Sequence, residues 1–194
     1  MNNIIWNNAK EIYSRLDNWN SLKDKTILIT GANGMLPSYL VYSLIYANEC
    51  DTNQNTRILA LCINRVKAEE VFGEFLDRVY FKLIIADVNE PIHTDEKIDF
   101  IIHGASLASS QYYGTDPVGT LKPNIIGTMN LLEIARMQGV EGFLFFSSGE
   151  IYGEILDKDI IAETDYGRVD PIDIRSCYAE SKRMGENMCK SWQH

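Results

Sequence analysis

Cysteine, histidine and positive charge are all scarce in this chain, and each scarcity removes a class of protein. The four cysteines, Cys50, Cys62, Cys177 and Cys189, lie far apart with no CxxC spacing, which argues against a disulfide framework and for the reduced thiols of a cytoplasmic protein. Three scattered histidines, His93, His103 and His194, make no metal-ligand pattern, so no metal is expected. No apolar run approaches the roughly 20 residues that span a bilayer, and the opening MNNIIWNNAKEIYS lacks the apolar centre of a secretory signal. Lys and Arg number 18 against 27 Asp and Glu, a net charge of −9 with no basic run. That argues against a nucleic-acid polymer or an anionic membrane as the main partner. A small anion stays compatible, because backbone amides at a helix N-terminus bind anions without net positive charge.

With 194 residues, 45% hydrophobic and 23% charged, the chain suits one soluble domain with a single core. Residues 1–24 read as an amphipathic helical extension with Ile5, Ile12 and Leu16 near one stripe, and residues 25–194 as the main domain. There, short apolar runs alternate with helical patterns. KTILIT leads into a helix from Met35 to Asn48. RILALCI (57–63) precedes a helical pattern through Asp77, and FKLIIAD (81–87) and IDFIIHGAS (98–106) follow. A long loop with Gly114, Pro117 and Gly119 then leads to a helix from about Asn124 to Met137, and FLFFSS (143–148) is the fifth strand. Nearly continuous apolar strands between helices predict an α/β, Rossmann-like fold: a doubly wound parallel sheet in the order 3-2-1-4-5. The sequence stops after the next helix, which leaves the fifth strand as an open sheet edge.

Two features carry chemistry. In KTILITGANGMLP a strand meets Gly31 and Gly34 and then a helix, which is the turn that lets a backbone approach a pyrophosphate. In SCYAESKRMGE, Tyr178 and Lys182 are four apart and share a helix face. A tyrosine ordinarily titrates near pH 10, so a phenolate base at neutral pH needs about 4 kcal/mol of stabilisation. Unit charges about 4 Å apart interact by roughly 4 kcal/mol at an effective dielectric near 20, so an ammonium and an oxidised nicotinamide suffice jointly. Such a base takes a hydroxyl proton while hydride leaves the carbon, and a second hydroxyl orients the substrate oxygen. Ser148, at the end of the fifth strand, suits that task. Ligands of open α/β sheets bind beyond the carboxyl ends of the strands, where Thr30, Asp87, Ser106 and Ser148 all fall.

The blocks TGANGMLP, Ala86–Asp87, HGAS, PNIIGTMNLLEIA, FFSSGEIYG and SCYAESKRMGE, in this order, resemble the extended short-chain dehydrogenase/reductases. More narrowly, the chain is similar from about Lys25 onward to the N-terminal portion of the NAD-dependent epimerase/dehydratase family acting on nucleotide sugars. The resemblance implies Tyr178 as base, Lys182 as its activator and ribose ligand, and Ser148 as ligand of the substrate hydroxyl. It sets Gly31, Asn33, Gly34, Met35, Leu36, Asn64, Arg65, Asp87, Val88, Ala105 and Ser106, together with Tyr178 and Lys182, against NAD, with Asp87 and Val88 near the adenine. It also implies a nucleotide-sugar substrate, oxidation at C4 and a homodimer built on helices that include the Tyr178 helix.

SSGEIYG is closest to the block of UDP-glucuronate decarboxylases and dTDP-glucose 4,6-dehydratases, which carry a glutamate at the position of Glu150. Gly149 stands where dehydratases place an aspartate and decarboxylases typically a small hydroxyl residue, a departure that weighs more against the dehydratase than the decarboxylase and leaves a 4-epimerase open. A non-catalytic dinucleotide-binding module is the alternative of another class. Pro37 replaces the third glycine of the usual turn, which alters the helix-to-strand packing beside the cofactor. Asn64 and Arg65 replace the acid that grips the NAD ribose, so NADP stays open.

Overall fold

The apolar runs become five strands of one parallel sheet. In the computed structural model, which describes residues 3–194, these are β1 (Thr26–Thr30), β2 (Arg57–Cys62), β3 (Phe81–Ile85), β4 (Phe100–His103) and β5 (Gly142–Phe145). Their order is β3-β2-β1-β4-β5, as the alternation of strands and helices predicts. Successive strand residues point to opposite faces, and the strands feed two separate cores. Ile27, Ile29, Ile58 and Ala60 pack in one cluster with residues of α2 (Met35–Cys50) and α3 (Arg65–Phe72). Leu28, Leu59, Leu61 and Ile101 pack in the other with Leu131 and Ile134 of α6 (Thr128–Gln138). Burial on both faces is why these strands read as continuous apolar runs.

The first helix, α1 (Asn3–Arg15), lies on α2. Trp6 and Tyr13 both meet Tyr46, with ring centroids 4.8 and 5.5 Å apart, and Ala9 is fully buried. This cover explains why α2 is buried on nearly every side from Val41 to Asn48. The expected stripe ends early: Leu16 lies beyond the helix and is exposed. Residues 1 and 2 of the expected extension lie outside the described residues.

Three further boundaries differ from the sequence reading. The expected loop before Asn124 holds two short helices, α4 (Gln111–Thr115) and α5 (Pro117–Lys122). Asp116 caps α5 by accepting from Gly119 N at 2.9 Å, and Pro117 occupies the first helical position, where its missing N–H costs nothing. β4 is shorter than 98–106. Gly104 N still donates to Thr30 O at 3.2 Å, but Ala105 N turns to the Thr30 side chain, so the backbone leaves the ladder. β5 ends at Phe145 rather than Ser148, because the carbonyl of Phe146 is taken by Lys182 of α7 (Ser176–Gln193).

Candidate functional site

The carboxyl ends of the parallel strands lie along one edge of the sheet, and the glycine turn, following the central strand β1, occupies its middle. Gly31 has φ +62°, and a Cβ there would stand 2.7 Å from Cα of Ala105, so both the conformation and the approach of the β4 exit require glycine. Gly34 begins α2, with Asn33 before it and the exposed Met35 and Leu36 in the first turn of the helix. Pro37 is buried against Gly104, whose added Cβ would meet the proline ring at 2.6 Å. The bulk gained at the third glycine position is thus matched by the side chain lacking at Gly104, and the first turn of α2 sits against the backbone just beyond β4.

A buried hydrogen-bond chain ties this turn to the next elements. Ala105 N donates to Thr30 Oγ1 at 3.3 Å, and Thr30 Oγ1 lies 2.8 Å from Nδ1 of His103. Nε2 of His103 is 3.1 Å from the carbonyl of Pro123. A carbonyl only accepts, so Nε2 carries the proton and Nδ1 accepts from the threonine hydroxyl. Burial, with the charge of Lys182 adding to it, brings His103 down to about 4, so the ring is neutral.

α7 brings the next residues to the end of β5. Lys182 is 3% exposed, its Nζ donates to the Phe146 carbonyl at 2.6 Å, and it stands 4.7 Å from the Phe145 ring centroid and 5.7 Å from that of Tyr178. Burial lowers it to about 8. Gly185 makes this approach possible, since a Cβ there would stand 2.3 Å from the Phe145 ring. Tyr178 is buried, and among the described residues no hydrogen bond engages its hydroxyl. Ser148 follows β5 and accepts from Glu150 N at 3.2 Å, opening a 3-10 turn over Gly149–Tyr152. Arg183 holds that turn to α7, donating to the carbonyls of Ile151 at 2.6 Å and Gly167 at 3.0 Å. Glu150 is exposed, and its charge reaches Tyr113.

The remaining sequence candidates lie across the glycine turn from Tyr178. Asp87 follows β3 and accepts from Asn89 N at 2.9 Å, and Val88 is buried. Asn64 caps α3, accepting from Lys67 N at 3.0 Å, and Arg65 pairs with Glu69 at 3.2 Å. From β3 to β5 the strand ends span roughly 19 Å, the reach of an extended dinucleotide rather than a compact ligand. One free hydroxyl and one free acceptor fit the polar groups of such a ligand. Ser106 Oγ and Asn89 Oδ1, beyond the ends of β4 and β3, are buried without a hydrogen-bond partner.

Three residues near the site escaped the sequence reading. Tyr113 of α4 stacks on Tyr178 with centroids 4.7 Å apart and planes at 12°, and its hydroxyl donates to Ala108 O at 3.1 Å. Burial first, then the neighbouring Tyr178 and Glu150, push it up to about 12. Asn124 lies in a π turn (Pro123–Gly127), fully buried, donating to Ser181 Oγ at 3.0 Å, with its own Oδ1 unpartnered. π turns inside helices often mark functional sites. Asn124 lies inside the quoted PNIIG block, whereas nothing in the sequence pairs Tyr113 with Tyr178. His103, which makes no metal-ligand pattern in the sequence, links the ends of β1 and β4 to the π turn.

Comparison with known proteins agrees with this geometry. Residues 27–194 match the NAD dependent epimerase/dehydratase family. The chain is 34% identical over 162 residues to UDP-glucuronic acid decarboxylase 6 of Arabidopsis thaliana, covering 84% of this chain and 44% of that protein. It is 35% identical over 170 residues to UDP-glucuronic acid decarboxylase 1 of Xenopus tropicalis, covering 87% and 37%. The chain therefore spans less than half the length of these relatives. Among solved structures, it is similar in fold to UDP-glucose 4-epimerase of Thermotoga maritima with UDP-glucose, at TM-score 0.69 and 23% identity over 86% of this chain and 50% of that one. It is likewise similar to UDP-glucuronic acid 4-epimerase of Bacillus cereus in complex with NAD, at TM-score 0.67 and 22% identity over 86% and 51%. With its glycine turn, its strand order and a match that runs from β1 to the last residue, the chain belongs to the NAD dependent epimerase/dehydratase family.

Proposed function

We propose that this chain is the dinucleotide-binding portion of a nucleotide-sugar enzyme that oxidises the sugar at C4, most like a UDP-glucuronate decarboxylase. The observation that carries the reading is Lys182: an amine buried at the end of β5, beside the Tyr178 ring, with a carbonyl rather than a carboxylate as its hydrogen-bond partner. Burying a charge this way is costly, and the cost is accounted for if the charge acts on a neighbouring phenolate.

In this reading the Tyr178 oxygen takes the C4 hydroxyl proton, and the Lys182 ammonium stabilises the phenolate that receives it. Ser148 Oγ holds the substrate oxygen in line, and the Tyr113 ring fixes the plane of the phenol from behind. The glycine turn would hold NAD, which would supply a transient acceptor for the C4 hydride and return it to the same carbon at the end of the cycle. A C4 ketone stands beta to a C5 carboxylate, so the carboxylate carbon leaves as carbon dioxide and its bond electrons pass to the enolate. Glu150, in the 3-10 turn that Ser148 caps, is assigned by this reading to proton movement at the neighbouring carbon. Gly149 supports this over dehydration, which needs an acid there, while 4-epimerisation needs neither group and is the second reading.

Mass spectrometry of UDP-glucuronate incubated with NAD and the protein tests the proposal. Loss of carbon dioxide supports decarboxylation, and an unchanged mass with a new stereochemistry supports the epimerase. Tyr178→Phe should cost at least 100-fold in turnover with little change in NAD affinity by calorimetry. Turnover preserved within tenfold would rule out Tyr178 as the base.

A further inference from the structure

The turn after β2 lacks the acid expected of an NAD enzyme and offers cations instead. Thr30 of β1 pairs in register with Leu61, and Ala32 N donates to Leu61 O at 3.2 Å, so the turn at Ile63 to Arg65 stands beside the glycine turn. An adenosine ribose attached to a pyrophosphate on that turn has its 2′ position here. Nothing at Ile63 or Asn64 can accept a hydrogen bond as a carboxylate would, and the Asn64 side-chain oxygen is already used to cap α3. Arg65 and Lys67 are exposed in the first turn of α3. Among the described residues Arg65 pairs with Glu69, at 3.2 Å, with side chains 64% and 44% exposed, and an exposed pair four apart on a helix is weak and easily exchanged.

We infer that the β2–α3 turn is built for a 2′-phosphorylated ribose and that the chain binds NADP at least as tightly as NAD. A guanidinium meets phosphate oxygens through two parallel N–H bonds and gains nothing comparable from a ribose hydroxyl. Arg65 would exchange Glu69 for the phosphate, with Lys67 as a second charge. This rests on the dinucleotide site of the proposed function, and it departs from the NAD preference that the family description carries.

Calorimetric titration of the chain with NADP and with NAD tests it without any turnover. NADP should bind as tightly as NAD or more tightly, with the steeper loss of affinity as salt is added. Arg65→Ala should weaken NADP by tenfold or more and NAD by less than twofold. Glu69→Gln, which frees Arg65, should tighten NADP a few-fold and leave NAD unchanged. Both side chains are exposed, and circular dichroism checks that the variants fold. NAD binding more tightly than NADP, or Arg65→Ala weakening both alike, overturns this inference alone. Binding of neither dinucleotide overturns the underlying cofactor site and this inference with it.

Discussion

Lys182 shows how one residue ties stability to chemistry. Burial brings it down to about 8, whereas a lysine in the unfolded chain titrates near 10.4. Between these values the unfolded chain holds a proton that the folded one has released, so stability rises with pH across that window. Below about pH 8 the folded state bears the full cost of the buried charge, about 3 kcal/mol. Lys182→Met removes that charge and leaves the Phe146 carbonyl without its donor, a loss of roughly 1–2 kcal/mol. The variant should therefore be more stable than the parent by about 1–2 kcal/mol in urea unfolding at pH 7, with the gain crossing zero near pH 9 and turning into a loss of about 1–2 kcal/mol by pH 10.5, where only the missing donor to the Phe146 carbonyl remains. A variant less stable at pH 7 would show that the charge is not disfavoured there. Tyr178, Lys182 and Ser148 were legible because helix spacing and strand ends are local properties. Tyr113 was not, because its stack on Tyr178 exists only once α4 lies against α7.

At the scale of elements, the chain from Thr30 through His103 to Pro123 joins the ends of β1 and β4 to the π turn. His103 is held neutral down to about pH 4, while a histidine in the unfolded chain takes up its proton near 6.5. As pH falls from 6.5 to 4 the unfolded state binds a proton that the folded state refuses, and about 3 kcal/mol of stability is lost. His103→Gln, which keeps a donor and an acceptor, should lack this portion of the acid loss. Urea midpoints of parent and variant between pH 7 and 4.5 should converge as pH falls, and parallel profiles would exclude His103 as the cause. The strands and their order were legible because burial on both faces leaves an apolar signature that water-exposed segments lack. The helices α4 and α5 were hidden by Gly114, Pro117 and Gly119, residues that mark loops in general. The Asp116–Pro117 pair, a capping residue followed by a proline at the first helical position, was the overlooked signal. The π turn depends on Asn124 reaching Ser181 of α7, a contact 57 residues away in sequence that no local pattern encodes.

At the scale of the molecule, the sheet has an open side among the described residues. β5 is the outermost strand, and among the described residues no strand pairs with its outer edge. Leu144, in the middle of that strand, is 51% exposed. Beside it an apolar groove of about 520 Å³ runs between Leu16, Leu40, Leu44, Phe143 and Leu144, with neither Tyr178 nor Lys182 in its lining. An unpaired apolar edge is a template for pairing with another strand, and the net charge of −9 is what opposes it by mutual repulsion. Salt screens that repulsion within a few ångströms while leaving apolar contact intact, so the chain should associate more strongly at high salt than at low salt. Leu144→Lys places a charge on the edge at a water-facing position, where substitutions change stability by no more than about 0.5 kcal/mol. Sedimentation velocity should show the variant smaller than the parent at high salt, with an unchanged circular dichroism spectrum. A dimer formed through α7, which the resemblance implies, would be indifferent to Leu144. Association equal in parent and variant would therefore move the contact from the β5 edge to another face, and a parent that stays monomeric at high salt would remove the edge as an associating surface.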